Sequence, residues 1–336
     1  MNLRELAGVI LKDCYRYQSF IGRYDDSYLR ITNRLERIEK GPRDLGYVCL
    51  WPHTSKLHAP RVIPELGKKL LTRCVDDNCF QMNEQRSLGS DIQISVLIGH
   101  RGLSRLPLLL ATLKSIRSQI DIQLECIVIE QDRSPQIKKY LPKWVNHIFL
   151  ETDTDSLIYN RSAAFNFGAR HAHGRILLLH DNDMLMPVCY CKNILAIAKT
   201  GYEAINTKRY VFYMCRQHTE RILRSFNQIT SYPPEYIVQN LEAGGSMAIT
   251  KEAYREIGGM DENFVGWGGE DIEFWKRCSL LKRWIWGYEP IIHLWHPSQP
   301  LKESTRNPNI ERMQLLADTD LYERIESLKR TFDGQS

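Results

Sequence analysis

The sequence predicts an α/β fold: a mostly parallel sheet flanked by helices, with a partly helical N-terminal extension. Three observations carry that expectation. From Asp91, short apolar runs rich in Ile, Val and Leu alternate with stretches of helical periodicity. Several apolar runs end in polar clusters: His100-Arg101, Glu130-Gln131-Asp132 and Asp181-Asn182-Asp183. Residues 1–90 lack the alternation and begin with apolar residues returning every three or four positions.

Taken in order, "LRELAGVILKDCYRYQSFIGRYDDSYLRITNRLERIEK" reads as helical until "GPRD" at Gly41 breaks it, and a loop-rich part follows to about Ser90. "IQISVLIG" (Ile92–Gly99) is a β-rich run, and "LPLLLATLKSIRSQ" a helix with one apolar face. "LECIVIEQD" (Leu124–Asp132) and "HIFLET" are further strands. "SAAFNFGARHAHG" is a helix that Gly174 can end at its C-cap. "RILLLHDND" is a buried strand running into acids. Strands and helices in this order pair in parallel and bind ligands beyond the carboxyl ends of the strands. The expected division is an extension at 1–90, a core domain at 91–300 and a helical tail at 301–336.

Bulk properties narrow the function. At 336 residues there is room for one large domain plus an extension, or for two domains. A formal net charge of +5 tolerates an anionic ligand, but no basic stripe interleaved with aromatics marks a nucleic-acid partner. No apolar run approaches the ~18–20 residues needed to span a bilayer, and the start lacks the layout of a signal peptide. The nine cysteines read as reduced thiols, which places the expectation in the cytoplasm. "CVDDNC" has no second pair to complete a metal site.

The polar clusters can do chemistry. Asp181 and Asp183, two apart beyond a rigid strand, can hold a divalent cation and orient a ribose or sugar hydroxyl, although Asp and Asn also simply favour turns. "IIHLWHP" places His293 and His296 three apart; in a straight strand they point to opposite faces, so one ligand is favoured over two, and His296 over His293. Arg161 at a helix start suits a phosphate, with Asn166 one turn further on. Gly244-Gly245 and "GWGGED" let the backbone come close to a ligand. Glu270 and Asp271 then fall in a first helical turn, where the dipole favours the ionised carboxylate. The bland alternative is dipole complementation alone, worth ~0.3–1 kcal/mol.

In this order the clusters resemble the β-1,4-galactosyltransferase group of inverting GT-A glycosyltransferases, with bacterial chondroitin-polymerase-type and family 2 enzymes as looser relatives. The similarity covers roughly Ile92 to Pro297. Gly99, His100 and Arg101 stand where that group has the start of Pro-Phe-Arg-x-Arg; Leu103 replaces the second arginine, with Arg105 close by. "IVIEQD" is similar to a strand ending in Asn-Gln, "YNRSAAFNFG" to Phe-Asn-Arg-Ala…Asn-x-Gly, and "HDND" fills the Asp-x-Asp place. "EAGGSMAITKEAYREIGGMDENFVGWGGEDIEF" resembles the group's most specific segment, and "HLWH" puts His293 in a Met place and His296 in that of a metal-binding His. Glu242-Ala243 replaces an aromatic pair that helps select the sugar.

The resemblance implies a GT-A (nucleotide-diphospho-sugar transferase) fold and a metal-dependent, inverting transfer of a hexose or N-acetylhexosamine from a UDP-sugar. Asp271 would be the general base, with Glu270 beside it. His100, Arg101, Gln131, Arg161, Asn166, Asp181, Asp183, Gly245 and Trp267 would line the donor. Asp183 and His296, with His293, would hold Mn²⁺ in preference to Mg²⁺. The acceptor could be a carbohydrate, a lipid-linked sugar or a peptide. Two other classes are weighed: a nucleotidyltransferase on a related fold, for which "GHRGLSR" is poor in glycine and lysine, and a catalytically inactive nucleotide-sugar-binding protein.

Overall fold

A computed structural model describes residues 3–51, 54–81, 91–152, 159–239, 241, 243–298 and 307–334. The strands in chain order are β1 (Ile38–Lys40), β2 (Tyr47–Cys49), β3 (Ser55–Lys56), β4 (Ile94–His100), β5 (Leu124–Asp132), β6 (Asn146–Glu151), β7 (Ile176–His180), β8 (Met184–Leu185), β9 (Ala204–Ile205), β10 (Lys208–Tyr213), β11 (Tyr236–Gln239), β12 (Ser246–Thr250), β13 (Arg283–Trp284) and β14 (Glu289–His293).

The central sheet has the order β13-β9-β12-β7-β4-β5-β6. Its run β7-β4-β5-β6 is parallel, while β12 lies antiparallel between β7 and β9. The expected mostly parallel α/β sheet is thus formed, with antiparallel pairing confined to the β12 side. β4 and β5 are almost wholly buried, with apolar centres (Val96–Ile98 and Cys126–Ile129), because helices cover both faces. Ile94, Val96 and Ile98 face Leu109, Leu113 and Ile116 of the helix Leu106–Arg117. Leu97, Ile127 and Ile129 face Ala164, Phe165 and Ala169 of the helix Arg161–His171. After β6 the chain crosses back to place β7 on the other side of β4, so the carboxyl ends of β4 and β7 flank a switch point.

A second sheet, β3-β11-β10-β14-β8, was not expected from the sequence. It joins the extension to the rest. Val9, Tyr17, Tyr28, Leu70 and Leu71 share one core with Phe212, Ile237 and Ile292; burying each such side chain stabilises the fold by ~1.5–3 kcal/mol. Buried Arg209 donates to the carbonyls of Leu29 (2.7 Å) and Ile31 (2.8 Å).

Three local expectations need correction. The opening helical stretch runs only through Leu3–Gly8, a π-turn Val9–Asp13 and Cys14–Ile21; Ile38–Lys40, expected as helix, is a strand paired with β2. The expected loop region contains the helices His58–Val62 and Pro64–Asn78. Proline at the start and Leu66, Leu70, Leu71 and Cys74 on one face were the available signal. Gly174 is not the C-cap of the helix Arg161–His171, which ends with Ala172 extended. Gly174 instead lets the chain touch β4: a Cβ there would stand 2.5 Å from the Ser95 nitrogen.

Beyond residues 301–306, which lie outside the described residues, the tail forms the helices Pro308–Ala317 and Leu321–Gly334. Ile325 and Phe332 enter the core beside Tyr254 and Phe274.

Candidate active site

The polar ends of β4 and β7 meet at the switch point. His100 is buried and neutral: burial drives its imidazole down to about 4. One ring nitrogen lies 2.8 Å from the Gly102 carbonyl and the other 2.8 Å from the Asn182 amide, which ties the end of β4 to the Asp181-Asn182-Asp183 turn. Gly99 is required here, because a Cβ would stand 1.8 Å from the Tyr159 hydroxyl.

Arg161 begins its helix with the guanidinium over this turn. Nε and Nη2 donate to Asp181 Oδ1 at 3.0 and 2.7 Å, and Nη1 lies 3.7 Å from Glu270 Oε1. Burial pushes the Asp181 carboxyl up, but the charge and hydrogen bonds of Arg161 outweigh it and hold the group below the ordinary range. Asp181 N donates to the Gly245 carbonyl at 2.8 Å, joining the turn to the paired glycines.

Those glycines explain the carboxylates. Gly244 and Gly245 have φ of +80° and +71°, a region costly for other residues. A Cβ at Gly244 would lie 2.2 Å from Asp271 Oδ2. The bare backbone therefore admits the Asp271 carboxylate. On the far side Gly266, Gly268 and Gly269 also have positive φ and bring the chain into the helix Glu270–Arg277. Burial pushes Glu270 up to about 7, with the Asp271 charge adding and Arg161 opposing. Burial raises Asp271 as well. Desolvation thus acts against the helix dipole, which favours the ionised carboxylate.

Asp183, His293 and His296 form the second part of the site. One ligand atom from each lies within 4.8 Å of the others. His293 Nε2 is 3.8 Å from Asp183 Oδ1, and His296 Nε2 is 3.3 Å from Asp183 Oδ2. Both histidines reach the carboxylate because the regular strand β14 ends at His293, between the two, while Leu294 N donates to the Asp183 carbonyl and holds the segment against Asp183. The preference for a single histidine assumed a straight strand. Tyr213 stacks on the His293 ring at 4.3 Å and fixes its face. Burial lowers the His293 pKa, keeping the imidazole neutral. One carboxylate and two imidazoles suit a divalent transition metal.

The remaining expected donor residues divide. Arg101 is half-buried in the turn after β4, and the Trp267 ring is 43 % exposed. Gln131 accepts from Asn160 N at 2.7 Å and so positions the start of the Arg161 helix. Asn166 is buried; its amide donates to the Met260 carbonyl and Glu262, and its oxygen accepts from Tyr254 and Met260 N. With its hydrogen-bonding capacity used by protein, Asn166 is corrected from a donor contact to a brace. Glu242, in the sugar-selecting place, lies outside the described residues, as does Ser90.

Four residues take parts that the sequence reading did not assign. Arg105 donates to Asp183. Asn307 and Asn309 donate to the Trp267 carbonyl at 2.8 and 3.2 Å, so the tail holds the glycine turn. Buried Lys208 donates to the Ser246 carbonyl; burial lowers it to about 7, opposed by the charges of Asp181 and Asp271. A lysine opening an apolar strand gives no sequence sign of this.

A family model described as the N-terminal domain of galactosyltransferase matches residues 226–285, which hold the paired glycines, the Gly-Trp-Gly-Gly turn and both carboxylates. The chain is galactosyltransferase-like. Human beta-1,4-galactosyltransferase 4 is 27% identical to it over 116 residues, covering 34% of this chain. The galactosyltransferase-like chain spans about a third of the length of that relative (33%). Among solved structures, the catalytic domain of Drosophila beta1,4galactosyltransferase 7 in complex with xylobiose is similar at a TM-score of 0.42 and 14% identity, with 66% of this chain and 80% of that chain covered. Among the described residues, no helix is long and apolar enough to cross a membrane.

Proposed function

We propose that this chain is a metal-dependent, inverting glycosyltransferase of GT-A type that moves a hexose or N-acetylhexosamine from a UDP-sugar to an acceptor hydroxyl. The observation that carries the reading is the Asp271 carboxylate, half-buried against the bare backbone of Gly244 with its pKa raised. A raised carboxylate is a stronger base than an exposed one. As the acceptor oxygen attacks the anomeric carbon, Asp271 takes the hydroxyl proton. The bond from that carbon to the diphosphate breaks, its electrons leave with UDP, and one direct displacement inverts the centre.

Arg161, already bearing on Asp181 and Glu270, supplies fixed positive charge at the helix start. Asp181 faces the ribose, and Glu270 and the exposed Trp267 ring orient the sugars by hydrogen bonding and stacking. A divalent cation held by Asp183, His293 and His296, Mn²⁺ by the chemistry of those ligands, would neutralise the departing diphosphate. All nine cysteines are unpaired, which supports a reducing, cytoplasmic setting.

The test is UDP release from a panel of UDP-hexoses and UDP-N-acetylhexosamines with Mn²⁺, run beside nucleoside triphosphates. The reading expects release from one donor and its loss in chelator. Pyrophosphate release from a nucleoside triphosphate instead would make the protein a nucleotidyltransferase. Donor binding without release, with every acceptor tried, would make it a binding protein.

A further inference from the structure

Arg105 stands at the N-cap of the helix Leu106–Arg117 and reaches two members of the cation cluster. Nη1 donates to Asp183 Oδ2 at 3.2 Å, and Nη2 lies 2.9 Å from His296 Nδ1. The same Nδ1 is 2.7 Å from the Pro297 carbonyl, while His296 Nε2 is 3.3 Å from Asp183 Oδ2. These contacts cannot all be hydrogen bonds together, because a neutral imidazole carries one N–H.

With the proton on Nε2, the ring donates to Asp183 and Nδ1 accepts from Arg105. With the proton on Nδ1, the ring donates to Pro297, and Nε2 turns a lone pair toward the space shared with Asp183 and His293. Only the second tautomer can ligate a cation through Nε2, and in it Arg105 has no acceptor on the ring. Ligation through Nδ1 would displace Arg105 directly. On the first route the guanidinium and a cation need opposite tautomers of His296, on the second the same lone pair; on both they draw on the Asp183 carboxylate, and their charges repel.

We propose that Arg105 is a built-in competitor of the divalent cation: it holds Asp183 and the non-ligating tautomer of His296, and cation binding expels it. The expelled guanidinium stays at the mouth of the strand-end crevice, so cation binding also makes a positive side chain available there to an anion. This rests on Asp183, His293 and His296 being the cation site, but not on which transfer the protein performs.

The experiment measures Mn²⁺ binding by the full chain, from the electron paramagnetic resonance signal of the unbound ion, without any nucleotide. Arg105→Gln should bind Mn²⁺ about 5- to 100-fold more tightly than the wild type, and Asp183→Asn more weakly. In the wild-type protein, saturating Mn²⁺ should speed modification of Arg105 by phenylglyoxal, followed by peptide mass; this arm needs no variant to fold. Unchanged or weaker Mn²⁺ binding by folded Arg105→Gln, or slower modification of Arg105 with Mn²⁺, overturns the proposal alone and leaves the transferase reading standing. A wild-type protein that binds no Mn²⁺ overturns the cation site and this proposal together. Competition by Arg105 without any sugar transfer sinks the transferase reading and keeps this one.

Discussion

The helix Glu270–Arg277 buries charge at both ends, to opposite effect. At its C-terminal end Arg277 donates to Glu273 through Nε (2.8 and 3.0 Å) and Nη2 (2.8 Å), and to the Gly259 and Ile257 carbonyls through Nη1. Both side chains are almost fully buried and well bonded. At its N-terminal end, Glu270 Oε2 and Arg161 Nη1 are buried with no hydrogen-bond partner among the described residues. A buried ion pair with its partners in place is architecture, whereas orphaned polar atoms beside it call for a ligand. One helix thus serves as a strut at one end and as the wall of a site at the other.

Breaking the architecture should have the larger effects on the fold. Deleting the extension, with a chain starting near Ser90, uncovers Phe212, Ile237 and Ile292, which now pack on Leu70, Leu71 and Tyr28. The shortened protein is expected to aggregate, read by size-exclusion chromatography. A soluble product that hydrolyses donor but no longer transfers to acceptor would make the extension an acceptor module instead.

Arg277→Met leaves Glu273 buried without its main partner. The expected loss is about 3–5 kcal/mol of stability in chemical denaturation, with little change in turnover per folded molecule. A variant as stable as the wild type would remove the contrast between the two ends.

Glu270 should behave in the reverse sense. Its folded pKa of about 7 stands above the ordinary glutamate value. The native state therefore holds more protons than the unfolded state between about pH 4.5 and 7, and stability falls as pH rises through that window. Glu270→Gln removes this loss. Its melting temperature should exceed that of the wild type at pH 8 and differ little at pH 4.5, while turnover drops. Equal pH dependence of the two proteins would contradict the burial argument.

The chain order made much of the central sheet legible, because its buried parallel strands have apolar centres and run into polar clusters at their carboxyl ends. β5 matches its sequence span, Leu124–Asp132, residue for residue. The second sheet was not legible: β3 and β8 have two residues each, and their pairing is fixed by partners far along the chain. Within the site, the Gly-Trp-Gly-Gly turn and its carboxylates stood out because five residues with positive φ are all glycine. The roles of Asn166 and Arg105 did not, because local sequence gives a residue type and tertiary packing decides which atoms remain for a ligand.

The contrast between the two ends of the helix turns on Asp271. Asp271→Asn keeps the shape against Gly244 and removes the basicity. In single-turnover assays with the donor that the panel identifies, the account predicts a fall of about 10²–10⁴ in rate. UDP affinity should change little, and the melting temperature should be unchanged or higher. Near-normal turnover by a folded Asp271→Asn protein would contradict the account and move the search for the base to Glu270.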